Sequence, residues 1–222
     1  MCKIKYEDNN IQKGKGTGFF CKIENIDNFP IKYGLFINNH ILNEDNIGNI
    51  INIEYIENNN IYKEKKIIID KKRKIYTNKE LDYTCIEIYE TDDINEYFKI
   101  DPIIYTNKKD YINNNTDIFI LQYPEGNELC FSYGKIKLIK DNIIIHNAST
   151  KERSSGSPII RRSEENYIIG LHYGGYKKKE NIDYSFYLGT IFDYILNDII
   201  YNNKPNEIEC IYKIKNNDEN EI

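Results

Sequence analysis

Histidine is scarce in this chain of 222 residues, with three in all, and no HExxH or other cluster of metal-ligand residues surrounds any of them. That excludes the familiar zinc hydrolase patterns, and no metal site is expected. The five cysteines, Cys2, Cys21, Cys85, Cys130 and Cys210, are odd in number, far apart and form no CxxC pair. A disulfide framework and a redox motif are both excluded, and a reducing compartment is expected. Long apolar runs are missing too. The start, Met1-Cys2-Lys3-Ile4-Lys5, lacks the core of a signal peptide and no stretch is long enough to cross a bilayer, so a cytoplasmic protein with no membrane partner is expected. Lysine and arginine total 30 against 35 aspartates and glutamates, a formal net charge of -5, which argues against nucleic acid as a partner. Gly14-Lys15-Gly16-Thr17-Gly18 matches neither phosphate-loop spacing, and no helical pattern follows it, so no cofactor is expected.

What the chain does contain is heavily biased toward asparagine, isoleucine, lysine and tyrosine, with 20 tyrosines. Patches of these residues therefore say little, and the rarer glycine, proline, serine and histidine mark positions where geometry or chemistry required them. Short β-branched and aromatic runs alternate with Asn, Asp, Gly and Lys turns, the pattern of an all-β barrel or sandwich. Strands are expected at 17–23, 33–37, 50–56, 66–69, 84–89, 117–121, 131–138, 142–146, 158–161, 167–173 and 185–189. Ile191, Tyr194, Ile195, Ile199 and Ile200 recur at helical spacing, predicting one amphipathic helix that packs on the second half of the chain. A composition shift near Asp101-Pro102 suggests three parts: 1–103, 104–202 and an extension, 203–222, with a disordered acidic end. Lys71-Lys72-Arg73-Lys74 is expected to be a solvated hairpin turn, and Lys177-Lys178-Lys179 a loop.

Glu152-Arg153-Ser154-Ser155-Gly156-Ser157-Pro158-Ile159 places a serine in a small-residue turn that leads into an apolar strand. Serine and glycine gather in ordinary turns as well. Upstream, His40 closes the run Leu35-Phe36-Ile37-Asn38-Asn39 and Asp82 opens Tyr83-Thr84-Cys85-Ile86. A serine becomes a nucleophile beside a base, and an imidazole needs an acid to hold its tautomer. All three types occur in the order His, Asp, Ser, each next to an apolar strand.

Together these segments resemble the trypsin-like, chymotrypsin-fold serine peptidases, in particular the intracellular type without disulfides, over about residues 16–195. Gly16-Thr17-Gly18-Phe19-Phe20 looks like that family's opening strand, and the His40, Asp82 and Ser155 segments look like its three motifs. The resemblance implies two perpendicular six-stranded antiparallel barrels followed by the helix. It implies a serine endopeptidase acting on protein or peptide substrates, with His40 as base, Asp82 as its orienting acid and Ser155 as nucleophile. The main-chain amides of Arg153 and Ser155 would form the oxyanion hole. Arg153 departs from the family's glycine, which leaves room for a rival reading: a catalytically silent module that binds peptides or partner proteins through the same cleft.

Gly170-Leu171-His172-Tyr173-Gly174-Gly175 resembles the pocket strand of glutamyl endopeptidases, and Thr150 stands five residues before the serine as in that group. The resemblance implies Glu or Gln before the scissile bond, with His172 and Thr150 in the pocket and Gly174 and Gly175 open to an extended substrate. His146 reads as a satisfied structural histidine, with a supporting partner of the pocket as the alternative.

Overall fold

The computed structural model describes residues 1–201 apart from 9–10, 25, 27–28, 47, 58–60, 71, 102–111 and 177–185. Its strands are β1 (Cys2–Asp8), β2 (Ile11–Lys22), β3 (Tyr33–Ile37), β4 (Ile50–Glu57), β5 (Ile61–Ile68), β6 (Ile75–Asn78), β7 (Tyr83–Glu87), β8 (Phe98–Lys99), β9 (Asp117–Gln122), β10 (Cys130–Lys140), β11 (Ile143–His146), β12 (Pro158–Arg161), β13 (Ile168–Tyr176) and β14 (Phe186–Ile191), and the helix is α1 (Phe192–Tyr201). The N-terminal half is an eight-stranded sheet in the order β5-β4-β1-β2-β3-β7-β6, with β8 against β2, and the C-terminal half is a closed barrel, β10-β11-β14-β13-β12-β9. The fold is the all-β, chymotrypsin-like one with a C-terminal helix.

Alternation along the strands divides the apolar residues among three cores. Phe20, Leu35, Ile37 and Ile86 point into the N-terminal core with Ile4, Ile51 and Ile53. Ile120, Ile144, Ile159 and Ile169 fill the C-terminal barrel. The alternate residues of these strands, Phe19, Phe36, Cys85 and Ile160, form a third core between the halves with Phe192, Ile195 and Ile199 of α1. Many strands are thus buried on both faces, which is why they read as near-continuous isoleucine-rich runs. The rings of Phe36 and Phe192 meet at 4.9 Å and those of Phe19 and Phe36 at 5.6 Å. The helix packs on β13 and β14, and Ile191, expected on it, is the last residue of β14 instead.

Three further differences from the sequence reading are physical in origin. Residues before Gly14 enter the sheet as β1, paired to β2 on one side and β4 on the other. The basic run at the 69–75 turn is not wholly solvated. The Arg73 side chain is 7% exposed and forks onto Asp92 at 2.6 and 2.8 Å while donating to the carbonyls of Ile68 and Glu87. Asp101 is fully buried against Arg161 of the second barrel, with Ile100 bridged to Ile168. The division at 103–104, Lys71, the Lys177–Lys179 run and the extension at 203–222 lie outside the described residues. Among those described, no helix is long and apolar enough to cross a membrane.

If the third core holds the halves together, Phe192→Ala will cost about 3–5 kcal/mol, whereas Phe131→Ala, at a side chain 57% exposed, will cost about 0.5 kcal/mol or less. Urea denaturation of both variants checks the contrast, and equal losses would contradict it.

Candidate active site

Strand β3 ends where Asn38 turns its side chain inward, and its Nδ2 donates to the carbonyl of Asp82 at 2.9 Å. Asp82 sits in the tight turn from β6 to β7 at φ 50°, a left-handed conformation that aspartate tolerates better than most residues. Its carboxylate accepts from the His40 backbone N–H through Oδ1 at 2.9 Å, and Oδ2 lies 2.7 Å from His40 Nδ1. A carboxylate can only accept, so Nδ1 carries a proton, and in the neutral ring Nε2 is the nitrogen with the free lone pair. The structure therefore brings His40 and Asp82 together, with the imidazole about half exposed at 46%.

Ser155 lies on a strap joined to the N-terminal half through β2. Thr17 N donates to Ser155 O at 2.9 Å, and Thr17 Oγ1 donates to Arg153 O at 3.0 Å. Gly156 has φ 90°, and a Cβ there would lie 1.8 Å from Thr17 O, so only glycine permits this approach. Gly156 N donates to His172 O, Ser157 N to Ser154 O and His172 N to Ser157 O. The N–H groups of Arg153 and Ser155 have no acceptor among the described residues. Arg153 adopts φ 68°, the conformation that glycine takes without strain, and its guanidinium turns away to the carbonyl of Glu125 at 2.7 Å. Ser155 Oγ donates to the carbonyl of Tyr173 at 3.2 Å, and no hydrogen bond joins it to the His40 ring.

His172 is buried on β13 and His146 on β11. Their rings meet edge to face at 5.4 Å, and Tyr187 of β14 stacks on His146 at 5.7 Å. His146, read from sequence as an ordinary core histidine, is thus in contact with His172. Burial, and then the neighbouring His146, push the His172 imidazole down to about 3, and burial pushes His146 down to about 4. Thr150 is half-buried, Gly174 half-exposed and Gly175 exposed. A Cβ at Gly174 would meet nothing within 4 Å among the described residues. The pairing of β12 with β13 stops at Pro158↔Leu171 and His172 bonds to Gly156 and Ser157; beyond His172 the edge of β13 that carries the Tyr173 carbonyl pairs with no strand among the described residues. The sequence reading missed Asn38, Thr17 and Tyr187. Asn38 alone carried a signal, as a polar side chain interrupting an apolar run before the histidine.

This architecture is the chymotrypsin-like fold. Among solved structures it is similar to Deg5 (14% identity, TM-score 0.61, covering 90% of this chain and 88% of that one). It is also similar to the HtrA-type protease AlgW with a tripeptide (12%, 0.58, 89% and 60%) and to the serine endoprotease from Yersinia pestis (12%, 0.60, 90% and 63%). The chain spans only about 60% of the length of AlgW. At these identities the likeness carries the fold. No family model matches the sequence, and no curated protein sequence matches it significantly.

Two outcomes follow from this geometry. Arg153→Gly and Arg153→Ala both lose the bond to Glu125, so their difference isolates the backbone: the glycine variant will be the more stable by about 1 kcal/mol. Equal denaturant midpoints would mean that the turn is not left-handed. The histidines set an acid limb. Because His146 and His172 have folded values below the ordinary 6.5, the unfolded chain binds protons that the folded chain refuses. Stability falls as pH drops below about 6.5, and continues to fall toward the folded values. His146→Gln will flatten part of that decline, and a thermal-denaturation series from pH 7 to 4 with an unchanged slope would contradict it.

Proposed function

We propose that the protein is a serine endopeptidase in which Ser155 attacks a peptide carbonyl, His40 takes its proton and later returns it to the leaving amine, and Asp82 holds the imidazole. The observation that carries this reading is the pair of N–H groups at Arg153 and Ser155 without acceptors among the described residues, in a turn whose φ of 68° at Arg153 is the one a glycine would adopt. Two such donors beside a serine suit the oxyanion of a tetrahedral intermediate. Arginine at this position therefore does not by itself argue for a dormant site, since its side chain is occupied at Glu125. The His40–Asp82 hydrogen bond supplies the tautomer that a general base requires.

For specificity, the reading favours Glu or Gln before the scissile bond. His172 lies on the strand that borders the serine strap, and its depressed imidazole stays neutral across the physiological range; one ring nitrogen is engaged with the Leu188 backbone, which leaves the other to meet the substrate side chain. Thr150 would add a hydroxyl. Gly174, with no atom of the described residues within 4 Å of a Cβ placed there and no strand among them paired at that edge, would let an extended substrate add to β13. The proposed setting is cytoplasmic, with a division near 103–104 between the part that carries His40 and Asp82 and the part that carries Ser155.

One observation favours the silent-module alternative: Ser155 Oγ is engaged by the Tyr173 carbonyl. A single rotation about its Cα–Cβ bond releases it, so the reading as an enzyme is preferred. Treatment with a fluorophosphonate probe, followed by intact-mass measurement, separates the two. One adduct is expected on the natural chain and none on Ser155→Ala. Among peptide substrates, His172→Phe will lower kcat/KM after Glu and Gln by about 10²-fold or more. A folded natural chain that takes up no probe would hand the case to the binding module.

A further inference from the structure

We infer that Thr190 and Asp198, both from the C-terminal half, are positioning residues for Asp82; the functional part of this inference rests on the endopeptidase reading above. Among the described residues, the Asp82 carboxylate hydrogen-bonds to His40 alone. Its own turn is left-handed, and a left-handed non-glycine residue persists only where its surroundings enforce it. Three successive residues of that turn are each fixed by a side-chain hydrogen bond. Thr190 Oγ1 donates to Leu81 O at 2.9 Å, Asn38 Nδ2 donates to Asp82 O at 2.9 Å, and Tyr83 OH donates to Asp198 Oδ2 at 2.6 Å. Asp198 also accepts from Asn78 Nδ2 at 3.1 Å, at the other end of the same turn.

Two of these anchors reach across the interface between the halves. Tyr83 and Thr190 are essentially inaccessible, and Asp198 is 7% exposed. A carboxylate so deeply placed on a helix whose other buried residues are Phe192, Ile195, Leu196 and Ile199 is costly unless its hydrogen bonds recover the lost hydration. Its bonds to Tyr83 and Asn78 hold both ends of the Asp82 turn. The half that carries Ser155 thereby sets the position of the acid that orients His40. Thr190 is on the same strand as Tyr187, which stacks on His146, so β14 and α1 together tie the acid turn to the pocket rings.

The test uses Thr190→Val, Tyr83→Phe and the conservative Thr190→Ser in the full chain. Three readouts are taken: the far-downfield proton resonance of His40 Nδ1–H, the rate of fluorophosphonate labelling, and urea denaturation. The valine and phenylalanine variants should shift or broaden the resonance and slow labelling by roughly tenfold to a hundredfold, and Thr190→Ser should restore both. A loss of stability with the resonance and the labelling rate unchanged would overturn the inference, leaving a structural role only. If the natural chain never labels but the resonance still moves in Thr190→Val and Tyr83→Phe, the positioning role stands and the endopeptidase reading falls. If the natural chain labels and the variants match it in both readouts, the reverse holds.

Discussion

The approach of Gly156 to Thr17 is the constraint on which the site's assembly depends. A backbone carbonyl from the N-terminal half occupies the space a side chain would need in the C-terminal half, and Thr17 commits both its N–H and its hydroxyl to Ser155 O and Arg153 O. Once those two carbonyls are fixed, the intervening peptides have little freedom. Arg153 is driven to positive φ, Ser155 is presented at the junction of the halves, and the two N–H groups beside it are left without acceptors among the described residues. The aromatic contact of Phe19, Phe36 and Phe192 holds the same pair of surfaces in register from below. The strained arginine is therefore a consequence of docking: a left-handed residue costs about 1–2 kcal/mol, which two interhalf hydrogen bonds and a well-packed interface readily offset.

Much of this was legible because local pattern and global fold agree. Alternation of period two is plain where Leu35, Ile37 and Ile86 face one core and Phe36 and Cys85 face the other. The order of His40, Asp82 and Ser155 along the chain also survives as a spatial relation between the first two. What escaped detection was carried by contacts remote in sequence. In β1, Cys2 and Ile4 are buried among lysines and acids, too short an apolar signal in a chain so rich in isoleucine and lysine. Arg73 looked like part of a solvated charge run because its partner, Asp92, lies beyond the next two strands. Thr190 and Asp198 carry no local signature at all, since a threonine in a strand and an aspartate in a helix are ordinary until the turn they hold is seen.

Two imidazoles buried face to edge, both held neutral, make sense only where a proton would be unwelcome. Charging either would place a cation in an apolar barrel beside the other ring, which is why burial and mutual proximity lower His172 and burial lowers His146. For the proposed pocket this has a chemical consequence. One ring nitrogen of His172 is held by the Leu188 backbone, so a neutral ring meets the substrate with the other alone, and a carboxylate, which can only accept, cannot use a bare ring nitrogen as a glutamine amide can. A glutamate would add a negative charge that favours imidazolium, and its binding would draw a proton into the pocket as pH falls, whereas glutamine binding would not. The preference between the two side chains would then depend on acidity even though the pocket's shape does not change, and the Tyr187 and His146 rings, which shield the imidazole from water, raise the cost of that proton.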